Sequence, residues 1–155
     1  RFIRKALGPI YHSLITSPIL RQKLSGDFFI KFNIDIPKSR NPVGKGILAE
    51  DGHVSFYKEK WLLTDTFDAK KHRRGLVLFN LDLKEKVDVG SFCTLPENIK
   101  ENDWDSSSLR CDLHPRWNGN GTQICIDSVH EGSRQIYIID VSDIITPILI
   151  EPTKR

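Results

Sequence analysis

The sequence predicts an all-β protein built from a repeated four-stranded unit. Two stretches roughly 60 residues apart share one order of short apolar runs and polar turns. The apolar runs are rich in β-branched and aromatic residues, which favour strands over helices. Equivalent positions carry related residues: His53 and His114, Phe56 and Trp117, Asp65 and Asp127, Arg74 and Arg134. A repeat of strands and turns of this size is typical of a β-propeller.

Residues 1–26 differ from the rest of the chain. Apolar residues recur there at helical spacing, while Pro9 and Pro18 should interrupt any long helix. Several basic residues lie in the same segment. These features predict a short, basic helical segment that packs on the domain, with a helix lying on a membrane surface as the alternative.

Residues 27–151 are predicted to form a partial propeller of about two and a half blades. The divisions are a half blade at 27–48, a blade at 49–92, a long loop at 93–108 and a blade at 109–151. The predicted strands of the half blade are 28–35 and 43–47. Those of the two full blades are 53–57, 61–66, 74–82 and 86–92, then 113–118, 122–128, 134–141 and 146–150.

Two or three blades cannot close a ring, and an open ring leaves strand edges exposed. We therefore expect either remaining propeller blades or edge-to-edge self-association of the chain. Phe56 and Trp117 are expected to pack in the core between neighbouring blades. The sequence contains no methionine, which together with the incomplete ring predicts a fragment or a processed product.

The turn sequences of the two full blades differ. Residues 118–121 read Asn-Gly-Asn-Gly and predict a tight hairpin, because both residue types tolerate positive φ. The equivalent residues 57–60 contain no glycine, which predicts a looser turn.

Composition limits the classes of partner. The net charge of +3 does not by itself indicate nucleic acid, and the basic run at 70–74 is short and lacks interleaved aromatic residues. The three cysteines form no disulfide framework and indicate no cellular compartment. No apolar run is long enough to span a membrane.

Residues 114–121, followed by the apolar run 124–128, resemble the WD40-like repeat of the periplasmic TolB protein. That repeat has Pro-x-Trp-Ser-Pro-Asp-Gly before an apolar strand, and here residues 118–120 replace its Ser-Pro-Asp. The resemblance covers 113–141, and more loosely 52–82 and 28–35. It implies a propeller and says little about chemistry.

Histidines at the start of the innermost strands resemble those of the oligogalacturonate lyases. Those enzymes are propellers that bind manganese through three histidines and a glutamine, and they cleave uronic-acid oligomers by β-elimination. The resemblance implies His53 and His114 as candidate ligands of Mn²⁺. The ligand set is incomplete, because Arg116 and Cys111 stand at the other two positions.

The order of the strands predicts where the polar residues meet. Because the first and second strands of a blade run antiparallel, the start of one and the end of the other lie at the same rim. This brings the two histidine–aspartate pairs of the repeat together near the central channel. Arg110 precedes the first strand of the last blade, and residues 70–74 form a basic loop at the same rim.

These positions define a candidate site for an anionic ligand, because guanidinium groups bind carboxylates and phosphates bidentately. The candidate catalytic residues, acting as base or acid, are His114 and His130. The candidate ligand-binding residues are Arg110, Arg116, His53, Asp65, Asp127 and Arg73. Structural roles are the alternative: histidines bound to backbone between blades, aspartates that cap turns, and a basic loop that is simply solvated.

The sequence therefore predicts a carbohydrate-associated propeller segment that recognises or processes an acidic glycan at this histidine–arginine rim. If the protein is an enzyme, the expected activity resembles that of a polysaccharide lyase on uronic-acid oligomers. The alternative is a non-catalytic, TolB-like propeller that binds a protein partner through the rim and the 93–108 loop.

Overall fold

A computed structural model describes residues 29–36, 38–68, 71–95 and 110–146. The chain divides into two units, residues 1–51 and residues 52–155. The predicted helical segment 1–26 lies outside the described residues, and so does most of the predicted loop 93–108. Within the described ranges, no helix has the length and hydropathy needed to cross a membrane.

The first unit contains a short two-stranded antiparallel sheet, in which β1 (Phe29–Lys31) pairs with β2 (Asn41–Val43). The predicted strand 28–35 ends early because Asn33 starts a side-chain turn. Its Oδ1 accepts a 2.9 Å hydrogen bond from the amide of Asp35. The predicted outer strand 43–47 is wrong beyond Val43, since Gly44 adopts a φ of 60° and residues 44–47 form a turn.

The second unit begins with a four-stranded antiparallel sheet, which we call the first sheet. Its strands are β3 (Val54–Tyr57), β4 (Trp61–Asp68), β5 (Arg73–Asn80) and β6 (Glu85–Cys93), paired in chain order. All four strands fall, within two residues at each end, where the runs rich in β-branched and aromatic residues predict them. The all-β class and the antiparallel sheet are thus confirmed.

A second antiparallel sheet follows in the same unit. Its described strands are β7 (Arg116–Trp117), β8 (Gln123–Ser128) and β9 (Gln135–Asp140). The predicted strand 113–118 is shorter than expected because His114 has a φ of 42°, which is not an extended conformation. The helix α1 (Ser142–Ile145) follows β9, and residues 147–150 of the predicted last strand lie outside the described residues.

The two equivalent turns differ in the opposite sense to the prediction. Six residues separate the paired Trp117 and Ile124, whereas three separate Tyr57 and Trp61. Of residues 118–121 only Gly121 has a positive φ, 74°, so the predicted tight Asn-Gly hairpin is wrong. In the second sheet, Asn118 Oδ1 accepts hydrogen bonds from the amides of Thr122 and Gln123. In the first sheet, Lys58 and Glu59 both adopt positive φ values, 47° and 53°. The expectation of a looser turn there is wrong. Lys58 and Glu59 adopt the left-handed backbone geometry that Asn and Gly favour at these positions.

The core lies between the two sheets of the second unit. Trp61, Leu63, Leu76 and Leu78 cover one face of the first sheet, which we call the contact face. They pack against buried residues of the second sheet and its flanking segments: Leu113, Ile124, Ile126, Val141 and Ile145.

Phe56 is 47% exposed, so its predicted burial between blades is wrong. Trp117 is half-buried and lies 5.5 Å from the Tyr57 ring.

Candidate functional site

Each sheet of the second unit carries a histidine–aspartate pair at the same end. His53 directly precedes β3, and its backbone N–H and Nδ1 lie 2.6 and 3.1 Å from Asp65 Oδ1. In the second sheet, His114 Nδ1 lies 3.3 Å from Asp127 Oδ2. The sequence repeat therefore corresponds to a repeat of one side-chain interaction.

The backbone around each histidine is specialised. A Cβ atom added at Gly52 would lie 1.7 Å from the carbonyl oxygen of Asp65, so only glycine permits this close approach. His114 adopts a φ of 42°, and histidine is among the residues that accept this conformation more readily. These local features hold each imidazole over its carboxylate.

The two histidines also contact each other. Their ring centroids are 4.5 Å apart, with planes at 61° in an edge-to-face arrangement. In each ring Nδ1 faces a carboxylate, which favours a proton on that nitrogen. When the ring is neutral, Nε2 is then the atom that can accept a proton or bind a ligand.

A buried arginine connects the first pair to the second sheet. The Arg74 side chain is only 8% exposed, and its Nη1 lies 3.4 Å from Asp65 Oδ2. Its Nε and Nη2 lie 2.9 and 2.8 Å from Asp112 Oδ1. Arg110 Nε lies 3.7 Å from the same oxygen, so Asp112 faces two guanidinium groups. Asp65 is fully buried and lies below the surface that a ligand would contact.

A cavity of about 280 Å³ opens beside this arrangement. Its lining residues are Arg110, Cys111, Asp112, His114, Asp127 and Arg134. Burial raises the pKa of the Cys111 thiol, which keeps this side chain neutral. Arg134 is exposed, and its Nη2 donates to the carbonyl of Arg110, which brings two guanidinium-bearing residues to one side of the cavity.

Some predicted site residues meet as expected, and others lie elsewhere. His53, Asp65, His114, Asp127 and Arg110 belong to the network of contacts just described. Arg116 lies beside it, with Nη1 donating to the carbonyl oxygens of His114 and Pro115.

Arg73 does not join this network. Successive residues of β5 point to opposite faces, and Arg73 bonds to Ser91 and Cys93 of the neighbouring strand. His130 has different neighbours as well. Its Nδ1 lies 2.8 Å from Ser128 Oγ, and its ring lies 4.3 Å from that of Tyr137.

Arg74 and Asp112 are the residues that the sequence prediction missed. Arg74 aligns with Arg134 in the repeat. However, it follows a run of basic residues, and the sequence does not indicate which of them is buried against the second sheet. Asp112 has no counterpart in the aligned part of the repeat, and only the packing of the two sheets brings it to Arg74.

The residues implied as manganese ligands only partly fit a cation. Ligand atoms of His53, Asp112 and His114 lie within 4.8 Å of one another. However, the Asp112 carboxylate is already paired with two guanidinium groups, which repel a cation. Cys111 is a buried thiol, and Arg116 cannot bind a metal while protonated. The lyase ligand set is therefore not reproduced.

Comparisons with protein-family models, with curated proteins and with solved structures find no match for this chain. The fold and the site define an all-β protein of antiparallel sheets. A histidine–aspartate–arginine network lies where two of these sheets meet.

Proposed function

We propose that this protein recognises or processes an acidic glycan at the cavity beside His114. The observation that carries the proposal is the composition of the cavity wall, where Arg110 and Arg134 lie with an exposed histidine around about 280 Å³. This volume is at the small end of ligand pockets and suits one sugar unit.

The distribution of charge supports an anionic ligand. Asp112, the carboxylate in the wall nearest to Arg110, is already neutralised by the buried Arg74. A ligand carboxylate can therefore interact with the exposed guanidinium groups of Arg110 and Arg134 in the cavity wall, since guanidinium groups bind carboxylates in a fork. Uronic acids are the substrate class that we favour.

His114 is the residue best suited to act on a bound uronate. Its Nδ1 faces Asp127, so Nε2 is available as a base, in the manner of a carboxylate-oriented histidine. In a β-elimination, the base removes the proton next to the carboxylate, the glycosidic C–O bond breaks, and the leaving oxygen takes up a proton. The product carries a carbon–carbon double bond.

Calorimetric titration with oligogalacturonate, and with a neutral galactose oligomer as control, tests recognition. We expect only the acidic oligomer to bind, with affinity that falls as salt screens the guanidinium groups. Arg110→Ala should weaken binding about tenfold. Lys86→Ala, which removes a basic side chain of β6 outside the cavity lining, should leave the affinity unchanged. Equal binding of both oligomers, or an unchanged affinity in Arg110→Ala, would refute the proposal.

Ultraviolet absorbance of the unsaturated product tests processing. We expect the absorbance to rise in the wild type, with or without added Mn²⁺, and not in His114→Gln. Binding without this absorbance would limit the protein to recognition. A rise that requires Mn²⁺ would restore the metal-dependent alternative.

A protein-interaction role is the second candidate. It is favoured by Val54 and Phe56 of β3, an edge strand of the first sheet, which are 37% and 47% exposed. A partner recovered by pull-down that is lost on replacing Phe56 by serine, together with no glycan binding, would support this candidate over the first.

A further inference from the structure

The second sheet leaves one face uncovered. Ile136 and Ile138 of β9 are 69% and 62% exposed. Ile138 is paired in register with Cys125 of β8, and Ile136 with Asp127, so the three apolar residues lie on one face, next to the cavity that Asp127 lines. We call Cys125, Ile136 and Ile138 the open face.

The repeat shows how the equivalent face of the first sheet is used. Leu76 and Leu78 of β5 occupy the positions that Ile136 and Ile138 occupy in β9, on the third strand of each sheet. Both leucines are 0% exposed, because they belong to the contact face that packs on the second sheet. The same repeat position is therefore fully buried in one sheet and exposed in the other.

The packing between the two sheets is head-to-tail. The first sheet uses the face of Leu76 and Leu78, whereas the second uses its opposite face, that of Ile124 and Ile126. An interface between two unlike faces leaves one face of the last sheet available for the next sheet.

We propose that the open face binds a further antiparallel sheet of the same repeat, which presents its equivalents of Ile124 and Ile126. The described residues of a second copy of this chain do not offer that surface. Ile124 and Ile126 are already buried, and so are their equivalents in the first sheet, Leu62 and Thr64. The occupant is therefore an additional unit, not a dimer partner.

The test appends a second copy of residues 110–146 to the end of the chain through a flexible linker. The appended sheet should cover the open face, raise the thermal unfolding midpoint by about 5 °C, and slow hydrogen exchange in β9. Ile138→Asp in the original sheet should abolish both effects. Leu83→Asp, a charge at an apolar position that is 52% exposed in the β5–β6 turn, should leave both unchanged.

Dye fluorescence and the thermal midpoint of the unextended chain test the same face if the appended unit does not fold. Ile138→Asp should reduce the fluorescence of a dye that binds apolar surfaces, and Leu83→Asp should reduce it less. Ile138→Asp should also lower the thermal midpoint of the unextended chain by no more than about 5 °C, because the side chain is 62% exposed and the cost is that of aspartate in a strand. The proposal fails if the extension stabilises wild type and Ile138→Asp equally, or has no effect although it folds. It also fails if light scattering shows a dimer that Ile138→Asp dissociates.

Discussion

Replacing Asp65 by asparagine should destabilise the protein much more than the same replacement at Asp127. The two aspartates occupy equivalent positions of the repeat, and each faces the Nδ1 of a histidine. They differ in burial, since the Asp65 side chain is 0% exposed and that of Asp127 is 37% exposed. Comparing the two substitutions therefore shows how burial changes the contribution of the same histidine–aspartate interaction within one chain.

The expected magnitude follows from the partners of each carboxylate. Asp65 interacts with His53 and with Arg74, whose side chain is itself 8% exposed. Removing the charge leaves the buried guanidinium with Asp112 as its remaining carboxylate partner, so the cost is smaller than that of an unpaired buried charge, about 2 kcal/mol. The exposed pair of Asp127 and His114 contributes about 0.5 kcal/mol.

Urea unfolding at equilibrium measures both changes. With a slope of about 2 kcal/mol per molar, Asp65→Asn should lower the midpoint by about 1 M and Asp127→Asn by about 0.25 M. The slope itself should not change, because both variants keep the same fold. If the two substitutions lower the midpoint equally, or Asp127→Asn lowers it more, burial of the network does not determine its contribution.

Three further predictions concern the backbone and the buried thiol. Gly52→Ala should cost at least about 2 kcal/mol in free energy of unfolding, because its methyl group overlaps the carbonyl of Asp65; a midpoint within error of wild type would contradict this. The double change Lys58→Asn and Glu59→Gly should raise the free energy of unfolding by about 1 kcal/mol, since both residues have positive φ. Unchanged or lower stability in a urea titration would count against that geometry. Cys111 should be alkylated more slowly than the other two cysteines at alkaline pH, because burial raises its pKa and keeps the thiol protonated; mass spectrometry of peptides from iodoacetamide-treated protein would reveal the reverse order.

The strands of the second unit were predictable because their signal is local. Runs of β-branched and aromatic residues, and the turn sequences between them, depend only on neighbours in the chain. The prediction failed where one residue changes the backbone, as at His114 and Gly44, whose positive φ values end or shorten a strand. It also failed at residues 58–59, where the turn type is not the one that composition favours.

The site was predictable in part for the same reason. The repeat aligned His53 with His114 and Asp65 with Asp127, and antiparallel pairing alone then brings each histidine to its aspartate. Arg73 and His130 were assigned to the site from their place in the chain. Their side chains bond elsewhere because strand alternation and local hydrogen bonds direct them away.

The sequence by itself thus determined the repeat, the all-β class and the two histidine–aspartate pairs, since each depends on spacing along the chain. Only the tertiary structure decided that Asp65 is buried and Asp127 is exposed, and that Arg74 bridges Asp65 to Asp112. It also decided that Leu78 is covered while Ile138 is not. The physical reason is that burial depends on which face of a sheet another sheet covers, and two equivalent units of one chain have different neighbours.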